Sequence, residues 1–376
     1  MTRRIRAAVL ERPGAALAIE ELDLADPARD EVLVRIDAAG VCHSDYHYLT
    51  GDLPSRMPVV PGHEGAGEVV AVGSDVTAVR PGDMVGLMWR PRCGRCRYCL
   101  TGRPALCQSG AIHAASGGLQ DGTTRLSRPD GTTVHHLMGV SCFAEYAIVS
   151  ERAVVPIPPG VPADVAAITG CAVITGVGTV LNAIGPCAGQ GLVVFGAGGV
   201  GLSVVMGAVL AGAYPIVAVD MVTERLEAAT RLGATHVVRA GSSSAEVAAE
   251  LADIAPDGFD YAVEAIGRPA TLRQGFDALR PGGTLVAIGL GPAGQELSLP
   301  LNALVQRERR VVGSLYGSSN PQVDVPKLLS LYQAGRLPID QLVGTHYPLD
   351  RIDDAVSDLI GGAVGRGIIV PAYSAS

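Results

Sequence analysis

The chain has 376 residues, 48% of them hydrophobic, with a net charge of −8 and an isoelectric point near 5.5. That length exceeds one simple core, so two domains are expected. The acidic balance argues against nucleic acid, whose binding depends on Lys and Arg neutralising phosphates, and leaves small molecules and further copies of the chain as partners.

Near the start, Ala7-Ala8-Val9-Leu10 runs straight into Glu11 and Arg12, an apolar stretch too short for a secretory signal. A cytosolic setting is therefore expected, where thiols stay reduced, and eight cysteines then suggest metal before disulfide. Up to about Thr175, extended runs such as Glu31 to Ile36 and Gly67 to Val72 are punctuated by Pro61-Gly62, Pro81-Gly82 and Pro158-Pro159-Gly160. This predicts a β-rich domain of strands joined by tight turns.

Two cysteine-bearing constellations fall in that part. Cys42-His43-Ser44-Asp45, Gly62-His63-Glu64 and the later Cys171 are far apart in sequence. Together they offer two thiols and an imidazole able to hold a catalytic zinc with one position open, while a lone cysteine such as Cys171 also reads as small buried packing. Spacing leaves both readings standing. Cys93-x-x-Cys96-x-x-Cys99 followed by Cys107 is more specific: four thiolates in one short segment make a closed, structural zinc site. An iron–sulfur cluster is a chemically possible alternative, ranked below zinc.

From Val165 to Val219 there is no Asp, Glu, Lys or Arg. The glycine density, Pro186 and Pro215, and the short Val-rich runs favour a buried strand, helix and strand over a membrane span. Strand Leu192–Phe195, helix Val200–Ala211, strand Ile216–Asp220, helix Thr223–Leu232 and strands near Tyr261–Glu264 and Leu285–Gly289 predict repeated βα units and a parallel sheet. Gly196-Ala197-Gly198-Gly199-Val200-Gly201 sits between the first strand and helix, and Asp220 ends the next strand, which is the fingerprint of a dinucleotide site. The glycines allow a tight turn and close backbone approach to a pyrophosphate held at the helix N-terminus. Asp220 would accept from adenosine ribose hydroxyls and repel a 2′-phosphate, which favours NAD over NADP. A Gly-rich turn that merely packs helix on strand is the structural alternative. Lys327–Ala334 reads as a helix and Gly367 to Val370 as a last strand, with the tail returning to the first domain.

These motifs, in this order, resemble the zinc-containing medium-chain alcohol dehydrogenases over essentially the whole chain; Gly62-His63-Glu64-Gly65-Ala66-Gly67 and Val325-Pro326-Lys327-Leu328 add to the match. The resemblance implies an α/β protein: a GroES-like β-rich catalytic domain (1–175 and 316–376) carrying both zinc sites, a Rossmann domain (176–315) binding NAD, and an active site between them. It implies Cys42, His63 and Cys171 as catalytic-zinc ligands, Glu64 as a carboxylate near that metal, and Asp45 as the group that orients the histidine ligand. Ser44 and His47 match the proton relay. His43 and Arg366 match pyrophosphate contacts, Thr175 and Val200 the nicotinamide side, Arg225 a further cofactor contact, and Trp89 and Phe143 the substrate pocket. Cys93, Cys96, Cys99 and Cys107 hold the structural zinc.

The activity implied is interconversion of primary alcohols, hydrophobic or aromatic, with aldehydes, in a cytoplasmic homodimer or homotetramer that engages neither nucleic acid nor membrane. A long segment from Gly110 to Gly139 resembles the insertion of animal and glutathione-dependent branches, which raises a thiol-dependent (glutathione or mycothiol) formaldehyde dehydrogenase as the alternative. Ala111 in place of that branch's anion-binding Arg, and His47 in place of its Tyr, weigh against it. A non-catalytic NAD-binding protein on the same scaffold would be expected to have lost ligands that are present here. Cys142, Cys187, His135 and His136 match no ligand position and are read as structural.

Overall fold

Strand Glu31–Gly40 is covered on both faces, with Val32, Val34 and Ile36 in one buried cluster and Leu33 in another, which is why nearly all of its side chains are buried rather than alternate ones. In the computed structural model, which describes residues 2–110, 117–241 and 243–371, this strand pairs antiparallel with Glu64–Val72, Tyr146–Ser150 and Arg366–Val370. It anchors a seven-stranded sheet completed by Met84–Leu87, Val154–Pro156 and Val343–Pro348. A second sheet of five strands begins with the hairpin Arg3–Val9 and Ala18–Leu24. Two buried clusters fill this region, one around Val34, Ile36, Val69, Leu87, Phe143 and Ile369, the other around Ile5, Leu22, Leu126 and Ile148.

The chain divides into two compact units, Met1–Cys171 with Asn320–Ser376, and Ala172–Ser319. The C-terminal strand pairs Ile368 with Gly40 and Ile369 with Ala39, so the tail does return to the first unit. Its helix runs Pro321–Gln333, starting earlier than the expected Lys327. Pro321 stands at the first helical position, where no N–H is needed, and the helix continues through Pro326 at the loss of one backbone bond. Lys327, the sole lysine, is exposed on it.

The second unit is a six-stranded parallel sheet. Numbered in chain order, strands Leu192–Phe195, Ile216–Asp220, His236–Arg239, Phe259–Glu264, Leu279–Ala287 and Arg310–Gly313 lie in the spatial order 3-2-1-4-5-6. That order reverses direction between Leu192–Phe195 and Phe259–Glu264, the place where such sheets bind ligands. The expected strand, helix and strand are found at Leu192–Phe195, Gly199–Leu210 and Ile216–Asp220. Ahead of them stands a 22-residue helix, Ala163–Ile184, that sequence reasoning did not anticipate. Val173, Ile174, Thr175, Val177, Thr179 and Val180 are poor helix formers, and their burial overrides that preference. The helix is long and apolar enough to cross a membrane, but 72% of its most apolar window is buried inside the protein, as in a core helix. It widens to π-type turns at Thr169–Val173 and Thr179–Ile184.

Candidate active site

Helix His43–Thr50 begins at Cys42, and its third residue, Asp45, reaches back to cap it: the Cys42 N–H donates to Asp45 Oδ2 at 3.0 Å. Asp45 is fully buried, and its other oxygen accepts from the Gly62 N–H at 3.3 Å and from His63 Nδ1 at 2.9 Å. An ionised carboxylate has only acceptors to offer, so it fixes the His63 proton on Nδ1. Gly62 turns the chain at φ +93°, and a Cβ there would come within 2.7 Å of the Phe143 ring and backbone. His63 Nε2 is thereby left as a buried lone pair with no hydrogen-bond partner among the described residues.

Around that lone pair converge the sulfurs of Cys42 and Cys171 and a carboxylate oxygen of Glu64, all four ligand atoms within 4.8 Å of one another. Cys171 arrives on the π-type turn of the long helix, a departure from α geometry of the kind that gathers at functional sites. The Cys171 thiol holds the neighbouring Cys42 well below the ordinary thiol value, and the same pairing together with burial raises Cys171. Burial pushes the Glu64 carboxyl up to about 7, against the pull of Arg366, whose Nη2 donates to Oε1 at 2.9 Å. Glu64 Oε2 has no partner among the described residues. Converging unsatisfied acceptors of this kind are costly in a dry interior unless a cation joins them, and one imidazole with two thiolates suits zinc.

The second cluster, Cys93, Cys96, Cys99 and Cys107, has its four sulfurs within the same 4.8 Å. Backbone N–H groups already point at it: Cys93 N donates to Cys107 Sγ at 3.2 Å and Cys96 N to Cys93 Sγ at 3.3 Å. The Arg95 and Cys96 N–H groups draw Cys93 down to about 6, whereas desolvation and its neighbours push Cys99 up to about 12. Four thiols this close cannot all ionise without a cation, and four sulfur ligands leave no position for substrate.

In the second unit, Gly196 (φ +93°) turns the chain out of Leu192–Phe195, and a Cβ on Gly201 would stand 1.7 Å from the Gly196 carbonyl oxygen, so helix and strand approach as closely as only glycine allows. At Gly198, by contrast, a Cβ would meet nothing within 4 Å. That open ground lies against the start of helix Gly199–Leu210, which has no side-chain cap, and is the cradle a pyrophosphate needs. Asp220 uses its carboxylate on the backbone, accepting from Ala197 N at 2.7 Å and Val222 N at 2.9 Å, which ties the glycine loop to the next strand. Each oxygen keeps a second lone pair for a ribose hydroxyl.

The other expected site residues are placed as follows. His43 is exposed and Ser44 half-buried on the first turn of their helix. His47 Nδ1 lies 3.0 Å from Asp52 Oδ2. Trp89 sets its ring edge-on to His63, centroids 6.3 Å apart, while Phe143 is wholly enclosed in the core. Arg366 is buried on Glu64. Thr175 is buried, Val200 half-buried, and Arg225 half-buried on helix Thr223–Arg231. Cys142 and Cys187 are buried free thiols, and His136 is a buried strand residue, which fits their structural reading. Ala111 lies outside the described residues. Sequence reasoning missed Asp52, the Glu64–Arg366 pair and the π-type turn under Cys171; none of these has a local sequence signature.

Residues 28–159 match the alcohol dehydrogenase GroES-like domain and residues 199–334 the zinc-binding dehydrogenase domain. The NDMA-dependent alcohol dehydrogenase of Amycolatopsis methanolica is 40% identical over 98% of this chain and 99% of its own length. The chain belongs to the zinc-containing medium-chain alcohol dehydrogenases. Among other members of that family, the class-3 alcohol dehydrogenase of Cereibacter sphaeroides is 37% identical over 98% of this chain and all of its own. The benzyl alcohol dehydrogenase of Acinetobacter calcoaceticus superposes with a TM-score of 0.92 at 35% identity, covering 98% of this chain and 100% of that one. As a medium-chain alcohol dehydrogenase the protein is an enzyme, with a GroES-like domain and a Rossmann-type parallel sheet.

Proposed function

We propose that this chain interconverts primary alcohols, hydrophobic or aromatic ones above all, and their aldehydes with NAD(H), using one catalytic and one structural zinc per subunit. The observation that carries this reading is the buried convergence of Cys42, Cys171 and the unpaired His63 Nε2, oriented from behind by Asp45. A zinc held by Cys42, His63 and Cys171 would supply acidity, since such an ion can lower a hydroxyl from about 15.7 to about 7, of order 12 kcal/mol. Such a shift exceeds the 10²- to 10⁴-fold typical of a general base alone, so Ser44 and His47 conduct the proton away rather than drive its loss. Asp220 and the open cradle at Gly198 support NAD as the hydride carrier, and Trp89 beside His63 supports an apolar or aromatic substrate.

The eight cysteines include no disulfide, which suits a reducing, cytoplasmic setting. Strand Arg310–Gly313 ends its sheet with Val311 and Val312 more than a third exposed, and Leu301 and Val305 on the preceding helix are exposed as well, which supports assembly of identical chains through this edge, as a homodimer or homotetramer.

The test is NAD reduction by zinc-loaded protein with benzyl alcohol and a series of straight-chain alcohols, repeated with NDMA as oxidant and after chelation. Turnover lost on chelation and absent from Cys42→Ala is expected; wild-type rates in Cys42→Ala would refute the site. The class-3 relative and the long segment after Gly110 keep a second reading in view, thiol-dependent formaldehyde oxidation. Turnover only with formaldehyde plus glutathione or mycothiol would establish it.

A further inference from the structure

Asp52 belongs to none of the motifs above, yet its carboxylate is folded back onto His47. Helix His43–Thr50 ends at Gly51, whose left-handed φ of +85° reverses the chain, and the Leu53 N–H then closes the turn on the His47 carbonyl at 3.1 Å. The reversal brings Asp52 Oδ2 to 3.0 Å from His47 Nδ1, and the Thr50 hydroxyl donates to the same oxygen at 2.9 Å. The His47 side chain is 15% exposed and that of Asp52 35%, so the contact is partly shielded from water. The hydrogen bonds from His47 and Thr50 hold the Asp52 carboxyl below its usual range, so it is ionised at neutral pH. The Tyr46 ring lies 6.4 Å from that of His47, tilted at 48°.

We propose that Asp52 is a positioning residue for proton transfer, acting through His47. An ionised carboxylate accepts but cannot donate, so a neutral His47 must carry its proton on Nδ1 and present Nε2 as the basic atom. When Nε2 takes a proton, the imidazolium forms beside a negative charge rather than in open solvent. The same logic makes Asp45 orient His63, so two aspartates on one short stretch of chain each set the tautomer of one histidine. This inference rests on the reading of His47 as part of the relay.

The experiment compares wild type with His47→Ala, Asp52→Ala and the double variant in the holoenzyme. It follows single-turnover NADH formation at saturating benzyl alcohol, so that product release does not mask the step. Zinc content, melting temperature and the KM for alcohol are read in parallel. Asp52→Ala is expected to lower the rate about tenfold, the worth of a hydrogen bond to a charged group, with KM and zinc unchanged. On the His47→Ala background the same substitution is expected to change it by less than about twofold, because the partner through which it acts is gone. An undiminished rate in Asp52→Ala, or an equal loss on both backgrounds, overturns the proposal. If His47→Ala alone turns over at the wild-type rate, the relay reading fails, and the Asp52 role with it. Should Asp52→Ala not fold, Asp52→Asn keeps the size while removing the charge and is judged by the same criteria.

Discussion

Replacing Asp45 by Asn tests whether the catalytic cluster is built from behind. Its carboxylate is fully buried and accepts three bonds, from Cys42 N, Gly62 N and His63 Nδ1. An amide of the same size keeps one acceptor oxygen and turns an NH2 toward the others, so at least one buried donor faces a donor, at about 1–3 kcal/mol. If the amide oxygen stays on His63, the Cys42 N–H loses its cap; if it turns to Cys42, His63 is no longer held with Nε2 free. Either way the zinc pocket is no longer pre-formed, and partners of this kind are worth about 10- to 100-fold in metal affinity, or about 1.4 to 2.8 kcal/mol. Competition against a graded series of chelators, with metal analysis at each step, should show one zinc released about 10- to 100-fold more readily. The structural zinc proposed at Cys93, Cys96, Cys99 and Cys107 serves as an internal reference and should not move. Equal release of both ions in variant and wild type, with unchanged turnover, would refute the orienting role of Asp45.

Two further outcomes are expected. Gly201→Ala drives a methyl to 1.7 Å from a backbone oxygen and should lower the melting temperature or prevent folding, whereas Gly198→Ala meets nothing and should fold normally yet lose NADH affinity in a fluorescence titration. Normal NADH binding by folded Gly198→Ala would remove the cradle from the site. Burial pushes His136 down to about 3, so the unfolded chain takes up a proton there that the folded chain refuses, and stability falls as pH drops below about 6.5. That amounts to about 1 kcal/mol between pH 7 and 5.5, and denaturant unfolding of His136→Gln across this range should show a shallower slope; an unchanged slope would mean that His136 is not buried neutral.

Four strands of the parallel sheet were legible because they are short apolar runs, and Leu192–Phe195 and Ile216–Asp220 were placed to the residue, whereas His236–Arg239 and Arg310–Gly313, each with only two apolar residues beside a charged one, were not read. The glycine loop and the four-cysteine cluster were legible because their chemistry requires fixed local spacing. Cys42, His63 and Cys171 were ambiguous one by one, since their meeting depends on strands and a helix far apart in sequence, and the family pattern joined them. What stayed hidden is non-local or irregular. The long helix is built from β-branched residues that argue against it, Arg366 meets Glu64 across 302 positions, and Asp52 reaches His47 through a turn that only the backbone at Gly51 reveals.

The π-type turn under Cys171 also fixes the permissible length of the chain there. A turn of this kind holds one more residue than an α-helical turn, so deleting one residue between Thr169 and Val173 would restore regular geometry and look harmless, even tidy. The flanking turns would keep nearly their present facing, because the residue lost is the one the wide turn absorbs, but the side chains within the shortened turn would be redistributed around the axis, carrying the Cys171 sulfur away from Cys42 and His63. Here an indel of one is a more drastic edit than most substitutions, and homologues that differ in length across this stretch should differ in metal content as well.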